Sequence, residues 1–135
     1  MFITALDKWT AFYITRPPPT PPSPNQYSLA RANFTLPCNV AAAALHISGI
    51  GYSAAFIDGV PVSDHELSPT WTRYEKMVMY VTHDITHLVR YSVRSSAARA
   101  DVCDHVIDVL LGSGHFAPNW YNAPLASMLL AEIHA

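Results

Sequence analysis

Tyr52-Ser53-Ala54-Ala55-Phe56-Ile57-Asp58-Gly59-Val60-Pro61-Val62 reads as a β-hairpin. Tyr52 to Ile57 has the length and composition of a strand. Asp58-Gly59 is a dipeptide that takes up positive φ at low cost, and Val60 to Val62 begins the return strand. Upstream, Ala32, Phe34 and Leu36 alternate with Arg31, Asn33 and Thr35, the period of a half-buried strand, until Pro37 ends it. Ala44 to Ile47 is a further apolar stretch, which Gly49-Ile50-Gly51 is expected to break.

Downstream, Met77, Met79 and Val81 oppose Val78, Tyr80 and Thr82, which predicts another strand. Val106 to Leu111 and Met128 to Ile133 are two more apolar runs of strand length. No segment carries an amphipathic helical period over several turns. Ala97-Ala98-Arg99-Ala100 has the composition of a helical turn, but lies in a polar excursion between Arg90 and Asp104. Short strands with Gly, Pro and Asp turns predict an all-β fold, a jelly-roll-like antiparallel β-sandwich in a single domain.

The prolines of Pro17-Pro18-Pro19-Thr20-Pro21-Pro22-Ser23-Pro24 fix φ and remove donors, so this stretch is a stiff linker or surface strap. Residues 1–28 are therefore a lead-in with a Pro-rich linker, and residues 29–135 the sandwich. Trp9, Phe12, Tyr13 and Ile14 are too apolar for a solvated tail and should pack onto this or another domain.

The chain has 135 residues, half of them hydrophobic, enough for one real core. Charged residues make up 13% and the net charge is -2, so no positive field exists for nucleic acid or anionic lipid. Asp7 and Lys8 interrupt the apolar start before it reaches signal-peptide length. No later run approaches a membrane span, and the compartment is left open. Cys38 and Cys103 form no C-x-x-C pair. Two buried free thiols are the simpler reading, with one disulfide as the alternative.

His83 and His87 have the H-x-x-x-H spacing of a helical zinc site, but Asp84-Ile85-Thr86 is poor in helix formers and no third ligand is near. Gly112-Ser113-Gly114 lacks the full nucleophile elbow and reads as a turn. Asp58, Asp64, Glu66, Glu75 and Asp84 are carboxylates whose simpler roles are turns and surface. Asn33-Phe34-Thr35 matches a glycosylation sequon, but it falls in a predicted strand and needs a secretory route that the N-terminus does not display, so a chance match is the simpler reading. The rings of Tyr52, Trp71, Tyr74, Phe116, Trp120 and Tyr121 are either core or sugar-stacking platforms. Trp120-Tyr121, after Ala117-Pro118-Asn119 in a loop-like stretch, is the leading ligand-facing site.

From about Leu29 onward the order of segments resembles the α-L-rhamnosidase N-terminal domain. Four stretches carry the resemblance: Phe56 to Val62, Asp64 to Tyr74, Met79 to Val89, and Val109 to Phe116. Trp9 to Pro19 is more loosely similar. The resemblance implies a noncatalytic accessory module that contacts rhamnose or a related sugar and flanks a catalytic (α/α)-barrel. The alternative is a structural domain that docks on the barrel without binding sugar. It also implies calcium at one end of the sandwich, with Asp64 as carboxylate ligand, His65 and Pro118 offering backbone carbonyls, and Ser113 standing where the family often has Asn. The sugar-contacting residues are then Asp64, His115, Phe116, Asn119, Trp120 and Tyr121. Expected partners are a rhamnose-containing glycan or glycoside, a barrel domain or a second copy, with no nucleic acid and no membrane.

Overall fold

The computed structural model describes residues 9–15, 27–65, 68–70, 72–74, 76–90, 101–112 and 128–135. Among these described residues eight strands appear in chain order: β1 (Ile14–Thr15), β2 (Tyr27–Pro37), β3 (Ala44–Ile50), β4 (Tyr52–Ile57), β5 (Val60–Pro61), β6 (Val81–Asp84), β7 (Val102–Gly112) and β8 (Met128–His134). One helical turn, α1 (Thr86–Val89), separates β6 from β7. They form two four-stranded sheets in the orders β1-β8-β3-β6 and β2-β7-β4-β5, and every pairing is antiparallel. The protein is thus an all-β sandwich. No helix among the described residues is long and apolar enough to cross a membrane.

The core lies between the sheets. Leu45 and Ile47 of β3 and Leu129 of β8 meet Ile57 of β4 and Val109 and Leu111 of β7, while Val40, Ala43, Ile85 and Val89 close one end. Each fully buried aliphatic side chain of this kind contributes about 1.5–3 kcal/mol. That end is fastened by main-chain groups: Ile85 N–H donates to the Ala43 carbonyl at 3.0 Å, and Ala43 N–H to Thr86 Oγ1 at 2.9 Å. Arg90 adds donors to the Val40 and Ala41 carbonyls.

The hairpin forms where expected. Asp58 and Gly59 have φ of 50° and 82°, the mirror-image turn that matches strand twist. Asp58 also anchors the turn to β7, its carboxylate accepting from Val106 N–H at 2.9 Å and from His105 Nδ1 at 2.8 Å. His105 is buried and stacked on Phe34, with ring centroids 5.2 Å apart. Its Nε2 is buried and meets no hydrogen-bond partner among the described residues.

Two strand expectations change. β3 runs through Gly49 to Ile50, and the break falls at Gly51. A Cβ at Gly49 would lie 2.9 Å from the Ser53 Cβ, so this glycine permits the close approach of β3 and β4. Residues 77–80 are not a strand: Val78, Met79 and Tyr80 are all half-buried, and Ser48 Oγ donates to the Met79 carbonyl at 2.8 Å. This stretch lies across the outer face of β3, so its alternation marks a covering segment. The predicted turn at residues 97–100 lies outside the described residues.

The reading of two free thiols is overturned, because Cys38 and Cys103 form a disulfide. Leu36 and Pro37 pair with Cys103 and Val102, and Cys38 follows at once, so strand register brings the two Cα atoms to 5.0 Å. That distance is ordinary for a disulfide. The bond closes a loop with a sequence separation of 65, which in the chain-entropy model is worth about 4 kcal/mol. Cys38→Ser/Cys103→Ser is expected to lower the urea unfolding midpoint by that free energy; an unchanged midpoint in reducing and oxidising buffer would contradict it.

Candidate functional site

Main-chain geometry ties the loop after β5 along β4. Val62 N–H donates to the Ala55 carbonyl at 2.9 Å, continuing the β4–β5 ladder, and the Ser53 amide and hydroxyl both donate to the Ser68 carbonyl at 3.3 Å. Ser53 adjoins Tyr52, which pairs with Gly112 at the end of β7. The Ser68 end of the loop bearing Asp64 and His65 is therefore held near the pole where β7 reaches Gly112, the last described residue before 113–121.

Asp64 and His65 are both exposed, and His65 N–H donates to Ser63 Oγ at 3.0 Å, which tightens the turn. Beneath them lies a cavity of about 50 Å³ lined by Ser53, Ser63, His65, Ser68 and His83. It has room for a water or two and none for a sugar ring, so a sugar at this pole would sit on the loops. His83 is half-buried here, and burial first, then the neighbouring His65, push its pKa below the ordinary histidine value. His83 stands on β6 and His87 on α1, so the pair does not share a helical face.

Of the expected sugar and metal residues, Asp64 and His65 are placed together; Ser113, His115, Phe116, Pro118, Asn119, Trp120 and Tyr121 lie outside the described residues. Among the described residues no group of three or more His, Cys, Asp or Glu side chains forms a metal cage. Asp64 and the His65 carbonyl are hard oxygen donors of the type calcium takes. The other carboxylates have structural work. Asp58 holds the hairpin, and Asp84 Oδ1 accepts from Thr86 N–H at 2.9 Å, which with the Thr86 side chain holds its pKa below the usual value. Glu66 and Glu75 lie outside the described residues, as does Trp71.

A second cluster escaped the sequence reading. On the outer face of β3, buried His46 bonds through Nδ1 to Thr82 Oγ1 at 2.8 Å. It meets His134, Tyr80 and Trp9 edge-on at 5.1, 6.1 and 6.3 Å. Burial, then His134, lower its pKa, while Glu132 opposes them. Glu132 ties the lead-in down: its carboxylate accepts from the Thr10 amide and hydroxyl at 3.1 and 2.8 Å and from Ala11 N–H, and it bonds His134 Nε2 at 3.0 Å. These donors, the Thr10 hydroxyl foremost, hold Glu132 down to about 2. The signal lay in the lack of any Asp, Glu, Lys or Arg from Ala44 to Ile50; Leu45 to Ile50 are all buried, and a strand buried on both faces must be covered twice.

Residues 38–134 match the family model described as the Alpha-L-rhamnosidase N-terminal domain. The chain is 30% identical over 106 residues to an Alpha-L-rhamnosidase of Formosa agariphila, covering 77% of this chain and 10% of that protein. It is 33% identical over 92 residues to one of Streptomyces avermitilis, covering 67% and 7%. The alpha-L-rhamnosidase structure from Dictyoglumus thermophilum superposes with a TM-score of 0.67 at 20% identity, covering 94% of this chain and 14% of that one. The Streptomyces avermitilis enzyme complexed with L-rhamnose superposes at 0.63 and 27% identity, covering 83% and 10%. The chain thus spans about a tenth of the length of these relatives.

The depressed pKa of Glu132 gives a signed prediction. A carboxyl lowered from about 4.5 to about 2 on folding stabilises the fold above the unfolded value, and that stability is lost as pH falls through the folded value. Wild-type urea stability should drop between about pH 4.5 and 2 more steeply than that of Glu132→Gln. Parallel curves for the two proteins would contradict the role given to the Thr10 contacts.

Proposed function

Because the chain belongs to the alpha-L-rhamnosidase N-terminal domain family, we propose that it is a noncatalytic accessory module of a rhamnosidase-type glycoside hydrolase, contacting a terminal rhamnose or related sugar at the Asp64 pole. The observation that supports this reading is the anchorage of the loop: exposed Asp64 and His65 stand on a loop whose Ser68 carbonyl is bonded to Ser53, one residue from the Tyr52–Gly112 pair at the end of β7. The related Streptomyces avermitilis structure is a complex with L-rhamnose, which supports the choice of sugar.

In this reading the Asp64 carboxylate accepts hydrogen bonds from vicinal sugar hydroxyls, and Trp120, Tyr121 and Phe116 offer flat faces to the sugar's C–H groups. His115 and Asn119 supply further polar contacts. A calcium ion held by Asp64, the His65 and Pro118 carbonyls and Ser113 would add an electrostatic link to the hydroxyls. The substrate of the whole enzyme is then a rhamnose-containing glycoside, and its chemistry belongs to a catalytic (α/α)-barrel that this module flanks.

A second reading, a domain that docks on such a barrel without touching sugar, is favoured by one observation. Phe12, Tyr13 and Ile14 are 86%, 42% and 55% exposed, beside an apolar cleft of about 350 Å³ between the sheets, lined by Phe34, Leu45, Val109, Leu129 and Ile133. Monomers seldom leave such a surface uncovered.

Isothermal titration with L-rhamnose separates the readings. Saturable heat is expected, weakened at least tenfold, about 1.4 kcal/mol, by Asp64→Ala or Trp120→Ala and reduced by chelating calcium. Absence of heat with and without calcium, together with self-association that Phe12→Ser/Ile14→Ser abolishes, would transfer the conclusion to docking.

A further inference from the structure

The Asn33-Phe34-Thr35 triplet is the single sequon of the chain, and two structural facts bear on it. First, Asn33 and Thr35 lie on the outward face of β2, paired across to Val106 and Asp104, and both are exposed; Phe34 between them turns inward onto His105. The acceptor amide and the hydroxyl two residues on therefore stand on one open face, where a bulky substituent meets no described element. Second, Cys38, which follows the triplet closely, is disulfide-bonded to Cys103. Such bonds form and persist in oxidising compartments such as the secretory lumen, where chains also meet the machinery that glycosylates sequons.

The position of Asn33 supplies a physical use for a glycan. Among the described residues β2 is an edge strand of 11 residues with β7 as its one neighbour. Its single charge, Arg31, is taken up by a two-bonded pair with Asp108 at 2.6 and 2.8 Å. A long edge strand without free charge or interior proline invites pairing with another chain unless something blunts it. Asn33 sits near its middle, and exposed Leu29 and Leu110 flank the same face.

We propose that Asn33 is an N-glycosylation site and that its glycan shields the β2 edge. In the transfer, the Asn33 amide nitrogen attacks the anomeric carbon of a lipid-linked oligosaccharide pyrophosphate. The new C–N bond replaces the C–O bond to the pyrophosphate, which leaves with the electron pair, and the amide proton passes to a base of the transferase. No oxidant or reductant is needed.

The test is to import the full chain, behind a cleavable signal sequence, into microsomes that carry out both disulfide formation and glycosylation. One glycosidase-sensitive shift in electrophoretic mobility is expected, lost in Asn33→Gln and in Thr35→Ala and kept in Thr35→Ser. Because the readout is made on imported chain, it does not depend on secretion or on variant stability. An imported, disulfide-bonded chain without a glycan, or a shift that survives Asn33→Gln, overturns the proposal.

Discussion

The two-sided burial of β3 is the constraint on which the rest of the structure depends. Its inward residues Leu45 and Ile47 face the other sheet, while its outward residues His46, Ser48 and Ile50 are also buried. A strand buried on both faces needs a cover outside the sandwich, and the chain supplies two. Residues up to Tyr80 lie across it on one side, with Ser48 bonded to Met79, and the Trp9 to Thr15 lead-in lies on the other, held by Glu132. Polar outward residues are tolerated because each finds a partner: Thr82 for His46 and the Met79 carbonyl for Ser48. The opposite sheet has no described cover, and its outer face shows Leu29, Leu110 and the Arg31–Asp108 pair.

This asymmetry divides the surface by role. The covered face is internal scaffolding, where histidines and a carboxylate serve packing. The edge between β1 and β2 is apolar and open. The loop with exposed Asp64 and His65 is held toward the pole where β7 ends by bonds from the Ser53 amide and hydroxyl to the Ser68 carbonyl. The disulfide pins the other ends of β2 and β7, so the two longest strands are fixed in register far from that pole.

Much of this was legible in the residues. The Asp58-Gly59 turn, the alternation over Arg31 to Pro37 and the apolar runs leading into β7 and β8 are local signals, and local physics decides them. What escaped notice depends on distant partners. A sequence separation of 65 between Cys38 and Cys103 says nothing of their meeting until the β2–β7 register is known. Alternation over residues 77–80 imitates a strand although the segment lies across a covered face, with Val78, Met79 and Tyr80 each half-buried and Met77 exposed. The His46, Tyr80, His134 and Trp9 cluster draws on four separate segments with no spacing rule between them. Asp64 and His65 were singled out through a resemblance, and the bonds from Ser53 to Ser68 that tie down their loop came only with the fold.

A sandwich whose polar pole and apolar edge lie apart is suited to holding a sugar at one place and a neighbouring domain at another, as an accessory module of a glycoside hydrolase would require. The most direct test is a map of amide chemical-shift changes in the labelled chain on titration with L-rhamnose in the presence of calcium. The account predicts saturating changes at Ser63, Asp64, His65, Ser53 and Gly112, with β1 and β2 silent. Changes centred on Phe12, Ile14 and the inner side of β2, or none at any residue, would contradict it.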